Sequence, residues 1–283
     1  MDLKHLITLA FQLSILAIVF GFGLKARIED LLHMVRRPGL LARSLLAMFV
    51  VMPLVAVLLA RAFEFPHTVN VALTLLAISP LPPLIPGRLA RLGGRTSHSI
   101  ALMATVALLS IVIVPLLVEL LERYLGQPLA ALPSTVATVI AVTVLLPLVT
   151  GMVFRVLRPA LADRIEPPIS LGGNVLLRIA VLVLLSANLL AIWALVRDGT
   201  IIAIVIFVVA GLAVGHLFGG PEPGGRTVLA LAGASRHPAI ALTIAAANFP
   251  GKHFEATILL YLLVGGIVGM PYTIWRRRMT TQP

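Results

Sequence analysis

The chain has 283 residues, of which 59% are hydrophobic and only 12% are charged, and its mean hydropathy is +1.06. A soluble domain has roughly 45–50% apolar and about 25% charged residues, so this composition excludes a soluble globular protein and predicts an all-helical integral membrane protein. The chain has a formal charge of +11, and its basic residues lie mainly between long apolar runs. This distribution indicates membrane topology rather than nucleic-acid binding. The absence of cysteine excludes disulfides and thiolate metal sites.

Nine apolar runs are long enough to cross a bilayer, for which about 20 residues are needed. The predicted spans are 5–24, 38–61, 68–87, 96–120, 132–155, 173–195, 200–218, 227–249 and 254–275. Turn-forming sequences interrupt the apolar runs at Arg37-Pro38-Gly39, Phe65-Pro66, Glu166-Pro167-Pro168 and Gly219-Gly220-Pro221. The chain is therefore predicted to form a single transmembrane domain over residues 1–283, with short loops and no soluble domain.

Lysine and arginine are distributed unevenly between the two predicted sides of the membrane. Fourteen lie in the loops after spans 1, 3, 5 and 7 and in the C-terminal tail: Lys25, Arg27, Arg36, Arg37, Arg88, Arg91, Arg95, Arg155, Arg158, Arg164, Arg226, Arg276, Arg277 and Arg278. Five lie on the opposite side: Lys4, Arg61, Arg123, Arg197 and Lys252. Because positive residues accumulate in the cytoplasm, this predicts a multi-pass protein of the cytoplasmic (inner) membrane with its N-terminus outside and its C-terminus in the cytoplasm.

Three arginines belong to neither set. Arg43 lies near the cytoplasmic end of span 2, Arg178 about a turn and a half into span 6, and Arg236 near the middle of span 8. Asn174, Arg178 and Asn188 fall near one face of span 6. That face either looks onto a crevice in the protein or packs inside the helix bundle.

Two predicted spans contain prolines that a continuous helix cannot accommodate. Span 3 contains Pro80, Pro82, Pro83 and Pro86, and span 8 contains the sequence Ser235-Arg236-His237-Pro238. Non-helical backbone at membrane depth persists only where protein or a water-filled cavity surrounds it. Two broken spans in corresponding places of two chain halves are typical of inverted-repeat secondary transporters, with the binding site where the breaks meet. The alternative is a pair of ordinary proline kinks.

Several segments are typical, by their order and spacing, of one transporter family. They are Phe20-Gly21-Phe22-Gly23-Leu24, Arg37-Pro38, Val50-Val51-Met52-Pro53, Leu89-Ala90-Arg91 after the Pro80 break, Ser235-Arg236-His237-Pro238-Ala239-Ile240-Ala241-Leu242 with Asn248-Phe249, and Gly269-Met270-Pro271. Through them the chain resembles the bile acid:sodium symporter family over nearly its whole length.

The resemblance implies a fold of two inverted five-helix repeats, arranged as a panel and a core. Family members often have ten spans, so the chain is similar to a nine-span version. Its first repeat, about residues 1–125, would lack one helix, and its second would cover about 130–280. Spans 1, 5 and 6 would form the panel and the other six the core, with the broken spans 3 and 8 crossing.

The sodium ligands that the resemblance implies are replaced in this chain. The matching positions are Ile85-Pro86 for a Ser-Asn pair, Ala232 for a Glu, Arg236 and Met48 for two Gln, and Met103-Ala104 for a hydroxyl pair. Sodium needs oxygen ligands, and an arginine cation among apolar groups disfavours it electrostatically. We therefore expect no cofactor and no metal site, with sodium bound, if at all, through backbone carbonyls.

Arg236 is the first candidate for a substrate contact, because none of the eleven acidic residues lies at mid-bilayer to pair with it. Its acceptors are either carbonyls of the broken helices or a bound anion, held by the guanidinium and the N-terminus of a half-helix. His237 is either a proton carrier coupled to transport or a donor to a carbonyl. The weaker candidates, whose side chains can instead bond to their own helix, are Ser79, Ser235, Asn188 and Asn248.

These observations predict a secondary-active transporter of a small organic anion that works by alternating access. Its expected partners are the anion, the lipid bilayer and protons as a coupling ion. A nucleic-acid partner is not expected. No pattern of catalytic residues is present, so enzymatic activity is not expected either. The alternative hypothesis is a non-transporting membrane sensor or assembly protein on the same fold, which the loss of the sodium ligands favours.

Overall fold

The computed structural model describes residues 3–26, 29, 36–63, 65–82, 96–125, 133–197, 199–249 and 254–280, and these ranges contain helices and no strand. Eleven helices are described below. They are α1 (Leu3–Lys25), α2 (Pro38–Leu46, Ala47–Val51 and Met52–Ala62), α3 (His67–Ile78), α4 (Thr96–Leu125), α5 (Pro133–Ile140, Ala141–Leu145 and Leu146–Leu157), α6 (Pro159–Ala187), α7 (Leu189–Arg197), α8 (Thr200–Phe218), α9 (Pro223–Ala234), α10 (Pro238–Asn248) and α11 (Glu255–Thr280).

Seven helical stretches in the described part of the chain are long and apolar enough to cross a membrane. They are Pro38–Ala62, Ser99–Arg123, Ser134–Leu157, Pro159–Ala187, Thr200–Phe218, Pro223–Ala245 and Glu255–Met279. Two shorter apolar helices, Leu9–Lys25 and His67–Ile78, lie at the predicted spans 1 and 3. Each of the nine predicted spans therefore has a helix at its place, and the prediction of an all-α integral membrane protein is confirmed.

Two helices widen into a single π-helical turn that ends two residues before a proline. The turn Ala47–Val51 precedes Pro53 in α2, and the turn Ala141–Leu145 precedes Pro147 in α5. A proline has no N–H and its ring crowds the preceding turn. A wider turn relieves that crowding without ending the helix, so both segments continue across the membrane.

The expectation that Glu166-Pro167-Pro168 interrupts the helical structure is wrong. α6 begins at Pro159 and runs through both prolines, so Arg178 is its twentieth residue rather than lying a turn and a half from a helix start. Both prolines are exposed. The Glu166 carboxylate of α6 makes an ion pair with Lys25 Nζ of α1 at 2.8 Å, and this contact holds the helix in place. We attribute the continuity of α6 to the position of its prolines at the charged end of the bundle. Water there can donate hydrogen bonds to the carbonyls that lack a backbone donor because proline has no N–H.

The helices pack in two groups. In the first, α1 packs along α6 and against α5. In the second, α8 packs on α9 and α11, and α3 packs on α2 and α10. The groups meet where α4 and α10 contact α5 and where α7, which continues α6, contacts α11 and α8. These contacts agree with the panel (α1, α5, α6) and the core that the resemblance implies. The inverted relation between two repeats remains a prediction.

Glycines allow very close approach between α8 and α9. A Cβ atom added to Gly215 would overlap the carbonyl group of Leu229, and one added to Gly211 would lie 2.5 Å from the carbonyl oxygen of Gly233. Small residues at helix interfaces let backbones approach in a membrane, where lipid supplies no hydrophobic force between helices. This tight pair supports the second broken helix, because α9 forms its first half.

The turn between α8 and α9 confirms the prediction for the Gly219-Gly220-Pro221 sequence. Gly220 has a φ of +81°, a left-handed conformation that glycine adopts without strain. Arg37 makes an ion pair with Glu222 across this turn, and Arg226 Nε donates to the Gly220 carbonyl at 2.7 Å. With Arg43, the turn lines a cavity of about 260 Å³ at the start of α2, to which no residue of the helix breaks contributes.

Candidate functional site

The first helix break follows Ile78, the last residue of α3. Ser79 has an extended backbone (φ −71°, ψ 145°), and its hydroxyl donates to the Leu75 carbonyl at 2.8 Å. Pro80 and Pro82 follow without helical structure, as their missing N–H groups predict. Residues 83–95 lie outside the described part of the chain, and with them Pro83, Pro86 and the Ile85-Pro86 pair at one implied sodium-ligand position.

The second break separates α9 from α10. α9 ends at Ala234, and Ser235 continues with an extended backbone (φ −117°, ψ 128°). His237 is the residue before α10, and Pro238 occupies the first helical position, where a missing N–H is tolerated. The span is therefore a broken helix, as predicted, and the interpretation as a simple proline kink does not describe it.

The two breaks are in direct contact. The backbone N–H of His237 donates to the Pro80 carbonyl at 2.9 Å, and Arg236 Nη1 donates to the Ser79 carbonyl at 3.3 Å. Backbone groups freed by one break thus find partners on the other, which is how irregular backbone is tolerated at membrane depth. The structure brings four predicted residues together at this crossing: Ser79, Pro80, Arg236 and His237.

Arg236 is fully buried, with none of its surface exposed. One guanidinium nitrogen bonds to Ser79, but Nε and Nη2 have no hydrogen-bond partner among the described residues. Hydrogen bonds to carbonyls of the broken helices, one of the two predicted kinds of acceptor, therefore account for only part of the Arg236 donors. A guanidinium has five N–H groups in a planar fork, and unmet buried donors are costly, so the remaining donors need an acceptor.

His237 is buried beside Arg236, with 1% of its surface exposed. Neither ring nitrogen has a hydrogen-bond partner in the described part of the chain. The alternative that its ring donates to a broken-helix carbonyl is therefore not seen, and its contact with the first break is made by the backbone instead.

Tyr261 of α11 is a residue of this crossing that the sequence analysis missed. Its hydroxyl donates to the carbonyl of Ala234, the last residue of α9, at 2.7 Å, and its ring lies edge-on to Phe207 with centroids 6.1 Å apart. The tyrosine thus satisfies a carbonyl that the break leaves open. A tyrosine eight residues before the Gly269-Met270-Pro271 segment, within an apolar span, was the signal available in the sequence.

Two of the remaining candidates form local hydrogen bonds. The amide of Asn248 donates to the Ile244 carbonyl at 2.7 Å within α10, and that of Asn188, the residue after α6, donates to the Leu184 carbonyl at 2.9 Å. Asn188 lies at the junction of α6 and α7. Ser235 is half-buried within the second break. Their roles as substrate contacts remain predictions.

Apart from Arg236, the implied sodium-ligand positions that the structure describes are apolar and buried. They are Met48, Met103, Ala104 and Ala232, each with at most 5% of its surface exposed. Among the described residues, no group of three or more His, Asp or Glu side chains could hold a metal ion. Residues of this kind do not fit the oxygen-ligand sites of a hard cation.

Comparison with known proteins agrees with the resemblance. Residues 12–195 match the family described as the Sodium Bile acid symporter family. The chain belongs to this family. The match ends before α9, so the segment from Ser235 to Leu242 lies beyond it, although the resemblance was expected over nearly the whole chain.

A relative has also been identified in Bacillus subtilis (strain 168). It is the "Uncharacterized sodium-dependent transporter YocS", 28% identical to this chain over 138 residues. The aligned part is 49% of this chain and 42% of the relative. The chain thus matches less than half the length of this relative.

Proposed function

We propose that the protein is a secondary-active transporter of a small organic anion, in which Arg236 is the counter-ion of the substrate. The observation that carries the proposal is that a fully buried arginine at the contact of two broken helices retains donors without partners among the described residues. Membership of a symporter family supports transport as the activity. An intramembrane charge of this kind is by default a functional group.

The chemistry of the crossing favours an anion, and a carboxylate in particular. Nε and Nη2 of Arg236 lie on one edge of the guanidinium, and that edge matches the two oxygens of a carboxylate. The N-terminus of α10 begins at Pro238, two residues away, and adds unbonded N–H groups and the positive end of a helix dipole. No carboxylate of the protein pairs with Arg236 among the described residues.

The packing supports alternating access as the mechanism. The panel and the core each pack extensively within themselves and meet mainly through α4–α5 and α7–α11. Such a limited contact allows one group to rock against the other, exposing a site at the helix crossing to each side in turn. With the N-terminus outside, as the charge distribution predicts, the site would lie in a cytoplasmic membrane between the outside and the cytoplasm.

The first experiment screens carboxylates for binding and flux. Purified protein is heated with a panel of mono- and dicarboxylates, and those that raise the melting temperature are tested for uptake into proteoliposomes. Binding followed by uptake supports the proposal. Binding without uptake favours the alternative of a sensor on the same fold. A panel that contains neither binders nor substrates contradicts the anion assignment.

We expect anion binding and uptake to be the same in sodium and in potassium buffers. The Bacillus subtilis relative is named as a sodium-dependent transporter. In this chain the implied ligand positions that the structure describes carry apolar side chains and an arginine. The measurement is initial uptake with the two salts at equal ionic strength. An uptake that requires sodium would show that backbone carbonyls suffice to bind it.

We expect uptake to depend on pH through His237. A bound anion between Arg236 and His237 favours a proton on the imidazole, so anion and proton would move together. His237→Gln is expected to remove the acceleration of uptake seen on lowering the outside pH from about 8 to about 5. The control is Thr243→Ala on the same half-helix, whose hydroxyl donates to the Ala239 carbonyl of its own helix and which should keep the profile. An unchanged profile in the His237 variant contradicts proton coupling through this residue.

A further inference from the structure

A cavity lies where the start of α2 meets the turn between α8 and α9. Its volume is about 260 Å³, and its walls include Arg37, Gly39 and Arg43 at the start of α2 and Gly220 and Glu222 in the turn. The lining residues come from neither helix break, so the site proposed above does not account for this cavity. Pockets for drug-sized molecules measure roughly 300–1,000 Å³, so this volume suits a small polar group rather than a whole metabolite.

Arg43 presents free donors to the cavity. Its Nε donates to the Gly39 carbonyl at 3.0 Å, one turn earlier in α2. The two terminal nitrogens lie along the cavity wall: a Cβ atom added to Gly220 would be 3.5 Å from Nη1, and one added to Gly39 would be 3.8 Å from Nη2. Within the described ranges, neither of these nitrogens makes a hydrogen bond or an ion pair. The guanidinium therefore has donors available for a ligand.

The charges around the cavity favour an anion. Arg37 and Arg43 supply two positive charges and Glu222 supplies one negative charge, so these lining residues have a net charge of +1. A third arginine lies beside them, because Arg226 Nε donates to the Gly220 carbonyl at 2.7 Å. The side chains of the Arg37–Glu222 ion pair are 42% and 53% exposed. Water weakens such a pair, so Arg37 can also interact with a second anion.

Two helices begin at the cavity. α2 starts at Pro38 and α9 at Pro223, and neither start has a side-chain cap. Gly39, the second residue of α2, and Gly225, the third residue of α9, both line the cavity. The first N–H groups of a helix have no partner within it, and the helix dipole adds positive charge at the same end. Arginines and helix N-termini both bind phosphate, so phosphate is the anion that this arrangement favours.

Aromatic and basic residues place the cavity at the membrane boundary. Tyr272 and Trp275 of α11 contact His216 in the last turn of α8, with ring centroids 5.8 and 5.5 Å from the imidazole. Arg276 Nη2 donates to the carbonyl of Pro223, where α9 begins, at 2.7 Å. Tryptophan and tyrosine are typical of the headgroup level of a bilayer. The cavity therefore lies at the depth of phospholipid headgroups, on the side that the charge distribution predicts to be cytoplasmic.

Exposed apolar side chains lead from the cavity into the membrane. On α2, the face that carries Arg43 continues with Leu46, Val50 and Leu54, which follow at three- or four-residue spacing and are 44%, 46% and 56% exposed. The last turn of α8, which packs against α2, contributes Leu217 with 77% exposure. A phospholipid needs a polar and an apolar surface side by side, whereas a free phosphate needs only the polar one.

We propose that this cavity binds the phosphate of an anionic phospholipid. Arg43 and Arg37 donate to the phosphate oxygens, and the acyl chains lie along the exposed apolar faces of α2 and α8. One negative headgroup charge matches the net charge of the lining residues. The bound lipid joins the start of α2 to the turn before α9, so it stabilises the core at this end. The inference does not depend on the transported substrate and can fail or hold independently of the proposed function.

The first test measures lipid preference beside the cavity. The two tryptophans of the chain, Trp193 and Trp275, are replaced by phenylalanine, and Leu46→Trp introduces one reporter about a turn from Arg43. Quenching by brominated phosphatidylglycerol and brominated phosphatidylcholine in mixed vesicles gives their relative affinities. We expect phosphatidylglycerol to be preferred at least about fivefold, and Arg43→Gln to remove that preference. The matched control is Leu171→Trp on α6, where the side chain is 65% exposed and no preference is expected.

Two further arms separate this site from weaker explanations. Arg164→Gln removes an exposed arginine on the same predicted side and should leave the preference at Leu46→Trp unchanged. Equal preferences at Leu46→Trp and Leu171→Trp, or a preference that persists with Arg43→Gln, would overturn the site. A preference that is lost in phosphate buffer but kept in chloride of equal ionic strength would show that the cavity takes free phosphate rather than a lipid.

The second test uses the stability of the purified protein with its natural tryptophans. A ligand that binds only the folded state raises the melting temperature. Phosphatidylglycerol added in detergent should therefore raise the melting temperature of the wild-type protein more than phosphatidylcholine does. Arg43→Gln should need about tenfold more phosphatidylglycerol for the same rise, because it loses hydrogen bonds to a charged group. An equal requirement in the two proteins would overturn the role of Arg43.

Discussion

Replacing Arg236 by glutamine is expected to lower the uptake of a transported carboxylate at least about 100-fold. The lost interaction is a pair of hydrogen bonds to a charged group, each contributing about 1.5–3 kcal/mol, and about 1.36 kcal/mol corresponds to a factor of ten. Arg236→Lys keeps the charge but cannot present two parallel N–H groups, so an intermediate loss of about tenfold is expected. The measurement is the initial rate of uptake into proteoliposomes.

The stability of the same variants separates a substrate contact from a structural role. A buried arginine with two nitrogens that lack partners among the described residues destabilises the protein without ligand. Arg236→Gln is therefore expected to keep or raise the melting temperature while uptake falls. Arg164→Gln removes an equal charge outside the breaks and should change neither property. A lower melting temperature with unchanged uptake would show that Arg236 serves the fold alone.

Replacing Gly215 by leucine is expected to prevent stable folding. The Cβ atom alone would overlap the Leu229 carbonyl, and backbone atoms of α9 cannot move aside as the end of a side chain can. Gly215→Ala should lower the free energy of unfolding by about 1–3 kcal/mol, as overpacking of a tight interface does. Leucine adds three further carbons at the same place, so recovery of folded protein in detergent should be lost.

Gly266→Ala is the matched control for this prediction. Gly266 lies within α11, and a Cβ added there meets no atom within 4 Å. Because alanine favours helix more than glycine by about 0.5–1 kcal/mol, this variant should keep or slightly raise the melting temperature. Equal melting temperatures for Gly215→Ala and Gly266→Ala would contradict the close approach of α8 and α9.

The positions of the spans and of both breaks could be predicted from local chemistry. Long apolar runs require lipid as solvent, so hydropathy locates the helices. Pro80 and Pro238 carry no N–H and crowd the preceding turn wherever the chain places them, so both breaks follow from covalent structure. Arg236 could be recognised as a candidate for the same reason, since the cost of a mid-bilayer cation does not depend on its neighbours.

Local rules failed where a tertiary contact outweighs them. Pro167 and Pro168 normally end a helix, yet α6 continues through them because Glu166 and its partners secure that turn against α1. This displaced the expected start of span 6 and made Arg178 appear close to a helix end, although it is the twentieth residue of α6.

The sequence by itself determined that this is a helical membrane protein with two broken spans and an arginine in one of them, because hydropathy and proline geometry are properties of short segments. Tertiary structure decided that the two breaks meet. The His237 N–H donates to the Pro80 carbonyl, and Arg236 Nη1 donates to the Ser79 carbonyl. It also brought Tyr261 to the open end of α9. These partners are 27 to 157 residues apart, and no local pattern specifies which freed backbone group will find which acceptor.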